Sequence, residues 1–232
     1  MTKIVLIIFL TIINLHAISG EKELREVIKK TYPELTIKSI QKTNYNDLYE
    51  IFIGGQIIYS DEDFNFLIVE GRLVDPKTKI DLTSARLEEL NKVDFDSLPF
   101  KNAIKEERGD GSRRIAVFSD VDCPFCRKLE KETISKLKDV TIYTFLYPLA
   151  IHPDAMNKSK KIWCSGNKTI AWNNYMLKNT LPKNDGNCDT PIEENLELAK
   201  KLGISSTPTI IVSNGKRIEG ALPYEDIVKY IE

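Results

Sequence analysis

Four cysteines stand in two unlike arrangements: Cys123 and Cys126 flank Pro124-Phe125, while Cys164 and Cys188 lie far apart. The tight pair suits thiol–disulfide exchange. A cysteine at a helix start faces backbone N–H groups without intrahelical partners, and these favour thiolate over thiol. Pro124 at the first helical position gives up no hydrogen bond and presets φ. The spacing brings Cys126 back within disulfide reach. Cys123 is therefore the expected nucleophile, forming a mixed disulfide that substrate thiols or Cys126 resolve. Resolution by substrate thiols is isomerisation. Resolution by Cys126 is reduction of the substrate, and its reverse is oxidation.

Other chemistry fits the spacing less well. A four-thiolate zinc site needs a second tight pair, which Cys164 and Cys188 do not supply. An inert disulfide across 123–126 would close too small a ring to remove much unfolded-state entropy. Neither metal nor cofactor is expected. For Cys164 and Cys188 the entropy argument reverses. Closing a loop of about 25 residues is worth about 3.5 kcal/mol in the chain-entropy treatment. That loop holds Gly166 and the turn Asn184-Asp185-Gly186-Asn187, so a structural disulfide is expected, with a redox-sensing pair as the alternative. Thr207-Pro208 precedes an apolar strand, where proline removes a ladder donor; a bulge, an edge or a cis bond is expected.

The surrounding pattern alternates strand and helix, as an α/β layer requires. Ile115 to Phe118 reads as a buried strand, Cys126 to Leu137 as a helix, and Val140 to Leu146 as a strand. A mostly helical stretch from Asp154 to Leu202 follows. Thr209 to Val212, the turn Asn214-Gly215 and a partner strand form a hairpin, and Pro223 opens a last helix. Upstream, residues 20–33 read as an amphipathic helix ended by Pro33. Tyr49 to Ile53, Gln56 to Tyr59 and Phe64 to Val69 read as strands of a small antiparallel sheet. Thr83 or Ser84 can cap a helix carrying Leu87, Leu90 and Val93. The polar run Lys101 to Arg113 reads as a hinge.

With 232 residues and a net charge of −1, the chain has room for two cores and offers no basic surface for nucleic acid or anionic lipid. Residues 1–19 have the layout of a secretory signal: Lys3, an apolar run from Ile4 to Leu15, then Ala17-Ile18-Ser19. The run is shorter than the roughly 20 residues that span a bilayer. Cleavage near Ser19 is expected, with no membrane insertion of the mature chain.

In order and spacing these features resemble the thioredoxin superfamily, and more closely the periplasmic disulfide isomerases of the DsbC/DsbG type. Phe118-Ser119-Asp120-Val121-Asp122-Cys123-Pro124-Phe125-Cys126-Arg127-Lys128-Leu129 resembles their strand, active site and helix. Ile162-Trp163-Cys164 with Cys188-Asp189 is similar to their helical insertion and second disulfide. Gly203 to Thr209 resembles the cis-proline segment, and the strands through Gly71-Arg72-Leu73-Val74-Asp75 the dimerisation domain. The resemblance implies a signal peptide over 1–19 and an α+β dimerisation domain over 20–82. A linker helix and hinge would follow over 83–112, then a thioredoxin-like catalytic domain with a helical insertion over 113–232. It further implies that Thr207 and cis-Pro208 bind substrate beside Cys123, and that Pro124 and Phe125 tune the pair. The protein would be a periplasmic homodimer, kept reduced by a DsbD-type membrane reductase and acting on misfolded exported proteins. A monomeric oxidase or reductase is the alternative, and a holdase chaperone acting through its apolar cleft is another.

Three side-chain expectations accompany this reading. Asp122 would oppose the Cys123 thiolate and is expected to point into solvent. His152 is expected at the surface without a catalytic role. Lys158 to Lys161 reads as a solvated helix face, and Trp163 and Trp172 as core, with one of the two facing substrate as the alternative.

Overall fold

A computed structural model describes residues 15–231 of the chain, so most of the expected signal segment lies outside the described residues. Two compact units divide between Leu90 and Asn91.

In the first unit, α1 (Leu15–Thr31) precedes an antiparallel sheet of β1 (Ile37–Lys42), β2 (Tyr49–Ile53) and β3 (Gln56–Ser60), in that order. Alternation along β2 splits the core. Tyr49 and Ile51 meet Leu24 and Ile28 of α1. Phe52, with Ile57 and Tyr59 of β3, meets Leu73, Leu87 and Leu90 on the other side. Gly54 and Gly55 both sit at positive φ, as a two-residue hairpin turn between right-twisted strands needs.

Two expectations fail here. Phe64 to Val69 is not a strand; a single bridge joins Tyr59 to Ile68. Phe64 adopts a positive φ, and Asp61 accepts a hydrogen bond from the Asn65 N–H at 2.7 Å, so a local turn displaces the ladder. The helix α2 (Leu82–Leu90) is capped by Asp81, which accepts from the Ser84 N–H at 2.8 Å. Thr83 is buried and bonds Tyr59 Oη at 2.6 Å, so it serves the core instead.

The second unit is a five-stranded sheet in the order β4-β6-β5-β7-β8. Its strands are β4 (Ile104–Arg108), β5 (Arg113–Ser119), β6 (Val140–Leu146), β7 (Thr209–Val212) and β8 (Arg217–Glu219). β5 and β6 are parallel, and the other pairs are antiparallel. The hinge expected over 101–113, and with it the linker through residue 112, is corrected by β4, which pairs with β6 from Ile104↔Thr144 to Arg108↔Val140. An edge strand with one buried face carries charge on the other. Lys105 and Glu107 are exposed while Ile104 is buried, and that composition mimics a linker.

Period-two burial along β5 sends Ile115 and Val117 to one face, against Leu129 of α3 (Pro124–Glu132) and Ile227 of α7 (Tyr224–Ile231). Ala116 and Phe118 face Ala199 of α6 (Ile192–Leu202), Phe95 and Leu98. Residues from Val93 onward thus belong to this second core. Val93 N–H donates to the Gly215 carbonyl at 2.9 Å. Gly215 has φ 85°, and a side chain there would collide with the Val93 carbonyl. The expected helix through Leu137 is shorter: α3 stops at Glu132 and a 3-10 turn covers Ile134–Lys136. Between β6 and β7 lie α4 (Ala155–Trp163), α5 (Lys168–Lys178) and α6. Cys164 and Cys188 form a disulfide within this insertion, with Cα atoms 5.8 Å apart.

Candidate active site

β5 ends at Ser119, and four residues later Cys123 occupies the N-cap of α3, with extended backbone and Pro124 at the first helical position. The cap residue offers no oxygen, so the unpaired N–H groups of the first turn face sulfur. Cys123 and Cys126 are free thiols, both buried, while Phe125 between them is 63% exposed. The Thr207-Pro208 bond is cis. Cys123 Sγ lies 3.4 Å from the Thr207 carbonyl oxygen, and Asp120 N–H donates to Cys126 Sγ at 3.4 Å. Cys123, Pro124, Phe125, Cys126, Thr207 and Pro208, read from the sequence as one site, come together. Cys164 and Cys188 are paired elsewhere.

The two sulfurs are driven apart electrostatically. The Cys126 thiol, hydrogen-bonding to Cys123, is the largest influence lowering the Cys123 pKa, to about 5. Thr207 and the N–H groups of Cys126 and Phe125 assist, and burial opposes them. Burial is the main cause raising Cys126 far above the ordinary thiol range, and its neighbour Cys123 adds to it. One sulfur is poised as thiolate while the other keeps its proton.

Asp122 does not point into solvent. Its carboxylate takes both Oδ contacts from Lys158 Nζ, at 2.7 and 2.8 Å, and a hydrogen bond from Tyr175 Oη at 2.9 Å. Lys158 leaves the solvated face expected for 158–161 to make this pair, which offsets the negative charge beside Cys123. Replacing Lys158 with methionine should therefore raise the pH midpoint of Cys123 alkylation by about half a unit to one unit. Alkylation rates of wild type and variant across pH 4–9 measure this.

His152 is not a free surface residue either. Its Nδ1 lies 2.8 Å from Oδ2 of Asp120, a wholly buried carboxylate. Trp172 is core as expected, and its Nε1–H donates to Glu130 at 3.0 Å. Arg127 donates to the carbonyls of Tyr175 and Met176, tying α3 to the end of α5. Sequence reasoning missed Asp120, Glu130 and Arg127. The signal for Glu130 was its i+4 spacing from Cys126, which puts both on one helix face. For Asp120 it was a carboxylate directly after an apolar strand. Among the described residues, no group of three or more His, Cys, Asp or Glu side chains could hold a metal ion.

A cysteine pair heading a helix, faced by a cis-proline on a mixed sheet, defines a thioredoxin-like thiol–disulfide oxidoreductase. Comparison with known proteins narrows the class. Residues 100–232 match the family described as thioredoxin-like domain, and residues 16–84 that described as disulfide bond isomerase protein N-terminal domain. A probable thiol:disulfide interchange protein DsbC of Bordetella parapertussis is 36% identical, covering 88% of this chain and 71% of that protein. The thiol:disulfide interchange protein DsbC of Escherichia coli strain K12 is 25% identical, over 97% of this chain and 94% of its own. A solved disulfide interchange protein from Neisseria gonorrhoeae is 40% identical, with a TM-score of 0.55, covering 58% of this chain and 98% of that one. The chain belongs to the DsbC family of thiol:disulfide interchange proteins, and its activity is disulfide oxidoreduction and isomerisation.

Proposed function

We propose that this chain is a periplasmic, homodimeric protein-disulfide isomerase that rearranges wrong disulfides in exported proteins, with Cys123 as nucleophile and Cys126 as resolving thiol. The observation that carries the proposal is the placement of the two free thiols, Cys123 at the start of α3 beside the Thr207 carbonyl and Cys126 fully buried on the Asp120 N–H, which splits their acidities. Cys123 thiolate attacks one sulfur of a substrate disulfide; a mixed disulfide forms and the other substrate sulfur leaves as thiolate. A different substrate thiolate then attacks the mixed disulfide, forms a new substrate disulfide and expels Cys123 as thiolate. A sulfur with a pKa of about 5 is a good leaving group. Cys126, reluctant to ionise, competes slowly, so the substrate has time to rearrange. When Cys126 does win, the substrate leaves reduced and the enzyme oxidised, and a DsbD-type membrane reductase would restore the pair.

The Thr207 carbonyl beside Cys123 suits a clamp on an extended substrate segment, with Thr207 and Pro208 forming its wall. Exposed Phe66, Leu67, Ile68 and Val69 support dimerisation through residues 20–82, because a single small unit rarely leaves such a run in water. No helix among the described residues is long and apolar enough to cross a membrane. The Cys164–Cys188 disulfide is assigned a structural role, which fits an oxidising compartment.

Replacing Cys126 with alanine tests the split directly. The variant should lose reductase turnover almost completely, keep a substantial share of isomerase turnover on a scrambled substrate, and accumulate mixed disulfides visible on non-reducing gels. Equal loss of both activities would count against the isomerase assignment. A dedicated oxidase would instead be found with Cys123 and Cys126 oxidised when trapped from cells.

A further inference from the structure

We infer that Asp120 and His152 form a positioning pair for the active-site turn, through which the charge on His152 bears on Cys123. The inference rests on Cys123 being the reactive sulfur. Asp120 touches both cysteines through its main chain: its carbonyl accepts from the Cys123 N–H at 3.3 Å, and its N–H reaches Cys126 Sγ at 3.4 Å. Its side chain is wholly buried, a costly place for a carboxylate unless donors surround it. Three do. Asp122 N–H donates to Oδ1 at 2.7 Å, Leu149 N–H to Oδ2 at 2.7 Å, and His152 Nδ1 lies 2.8 Å from Oδ2.

The first of these closes the turn that delivers Cys123 to the helix start, and the other two fasten that turn to the segment after β6. His152 is the member that can change charge. Its side chain is partly exposed, at 22%, so protons reach it from solvent. The hydrogen bond to Asp120 is the main cause favouring its protonated form; the charges of Asp120, Cys123 and Asp122 add to it, and burial opposes. Lys158, paired with Asp122, and Tyr175, bonded to the same carboxylate, are the remaining titratable groups joined to this cluster. A cation at His152 favours the Cys123 thiolate, and by linkage the thiolate favours the cation.

The test uses reciprocity in the full-length protein. The imidazole signal of His152, assigned by its loss in His152→Gln, is titrated by NMR in the reduced and the oxidised states. Its midpoint should fall by several tenths of a unit on oxidation, when the thiolate charge disappears. In His152→Gln the alkylation midpoint of Cys123 should rise by a similar amount. Equal His152 midpoints in the two redox states, with alkylation profiles of wild type and His152→Gln superposing, would overturn the inference. If wild type itself showed no acidic alkylation midpoint, the Cys123 assignment would fail instead.

Discussion

Replacing Cys123 with serine is expected to lower both isomerase and reductase turnover by at least about a thousandfold, to the background of free thiol in the assay. The size of the loss follows from chemistry that no neighbour can supply. A serine hydroxyl at a helix N-terminus stays protonated and cannot form or leave a mixed disulfide. The low pKa of Cys123 deserves weighing against its cost in nucleophilicity. Against an ordinary thiol of pKa about 8.5, ionisation near pH 5 raises the thiolate fraction at pH 7 about 30-fold. A Brønsted coefficient of about 0.45 over roughly 3.5 units takes back about 40-fold in nucleophilicity. Attack is therefore no faster than by an ordinary exposed cysteine. The advantage lies in departure: each cycle ends with Cys123 expelled, and an acidic thiol leaves readily. Turnover on a scrambled disulfide substrate measures the loss; retention of a tenth of wild-type activity would mean another nucleophile carries the reaction.

The second large effect concerns stability. Glu130 is buried, and burial is the main cause raising its pKa to about 7 from 4.5. The Trp172 indole opposes that rise, Glu106 adds to it and Arg108 opposes it. Below pH 4.5 the carboxyl is protonated in the folded and unfolded chain alike, and no penalty exists. Between pH 4.5 and 7 the unfolded chain sheds the proton while the folded one holds it, so stability falls as pH rises. Above pH 7 the penalty is complete, about 3 kcal/mol at 1.36 kcal/mol per unit. Glu130→Gln keeps an acceptor for Trp172 Nε1 and removes the charge. The variant should gain about 3 kcal/mol relative to wild type between pH 4.5 and pH 8. Urea unfolding of both proteins at the two pH values checks this, and a difference that stays constant with pH would refute it. Any fixed cost of burying the amide cancels in the comparison.

How much of this was legible beforehand depended on whether the signal was local. Cys123, Pro124 and Cys126 announce a helix start within four residues, and Gly54-Gly55 and Asn214-Gly215 announce turns, because each is set by backbone chemistry at the position itself. Thr207-Pro208 was legible as an irregularity before a strand, though its place opposite Cys123 is a property of sheet topology. The strand Ile104–Arg108 was hidden because an edge strand shows its charged face to water and reads as linker. Phe64 to Val69 misled in the opposite sense: Phe66, Ile68 and Val69 are exposed, and a turn at Phe64 overrides the strand preference of the segment. Asp122, His152 and Lys158 were misread together, each judged alone as a solvated charge. Their partners lie 32 or more residues away in the chain, since His152 meets Asp120 and Lys158 meets Asp122.

The most direct test is the alkylation rate of reduced wild-type protein as a function of pH, with the modified residue identified by mass spectrometry. The structure predicts modification at Cys123 with a midpoint near pH 5, Cys126 remaining unlabelled throughout. A midpoint between pH 8 and 9, or labelling of the two sulfurs at similar rates, would contradict it.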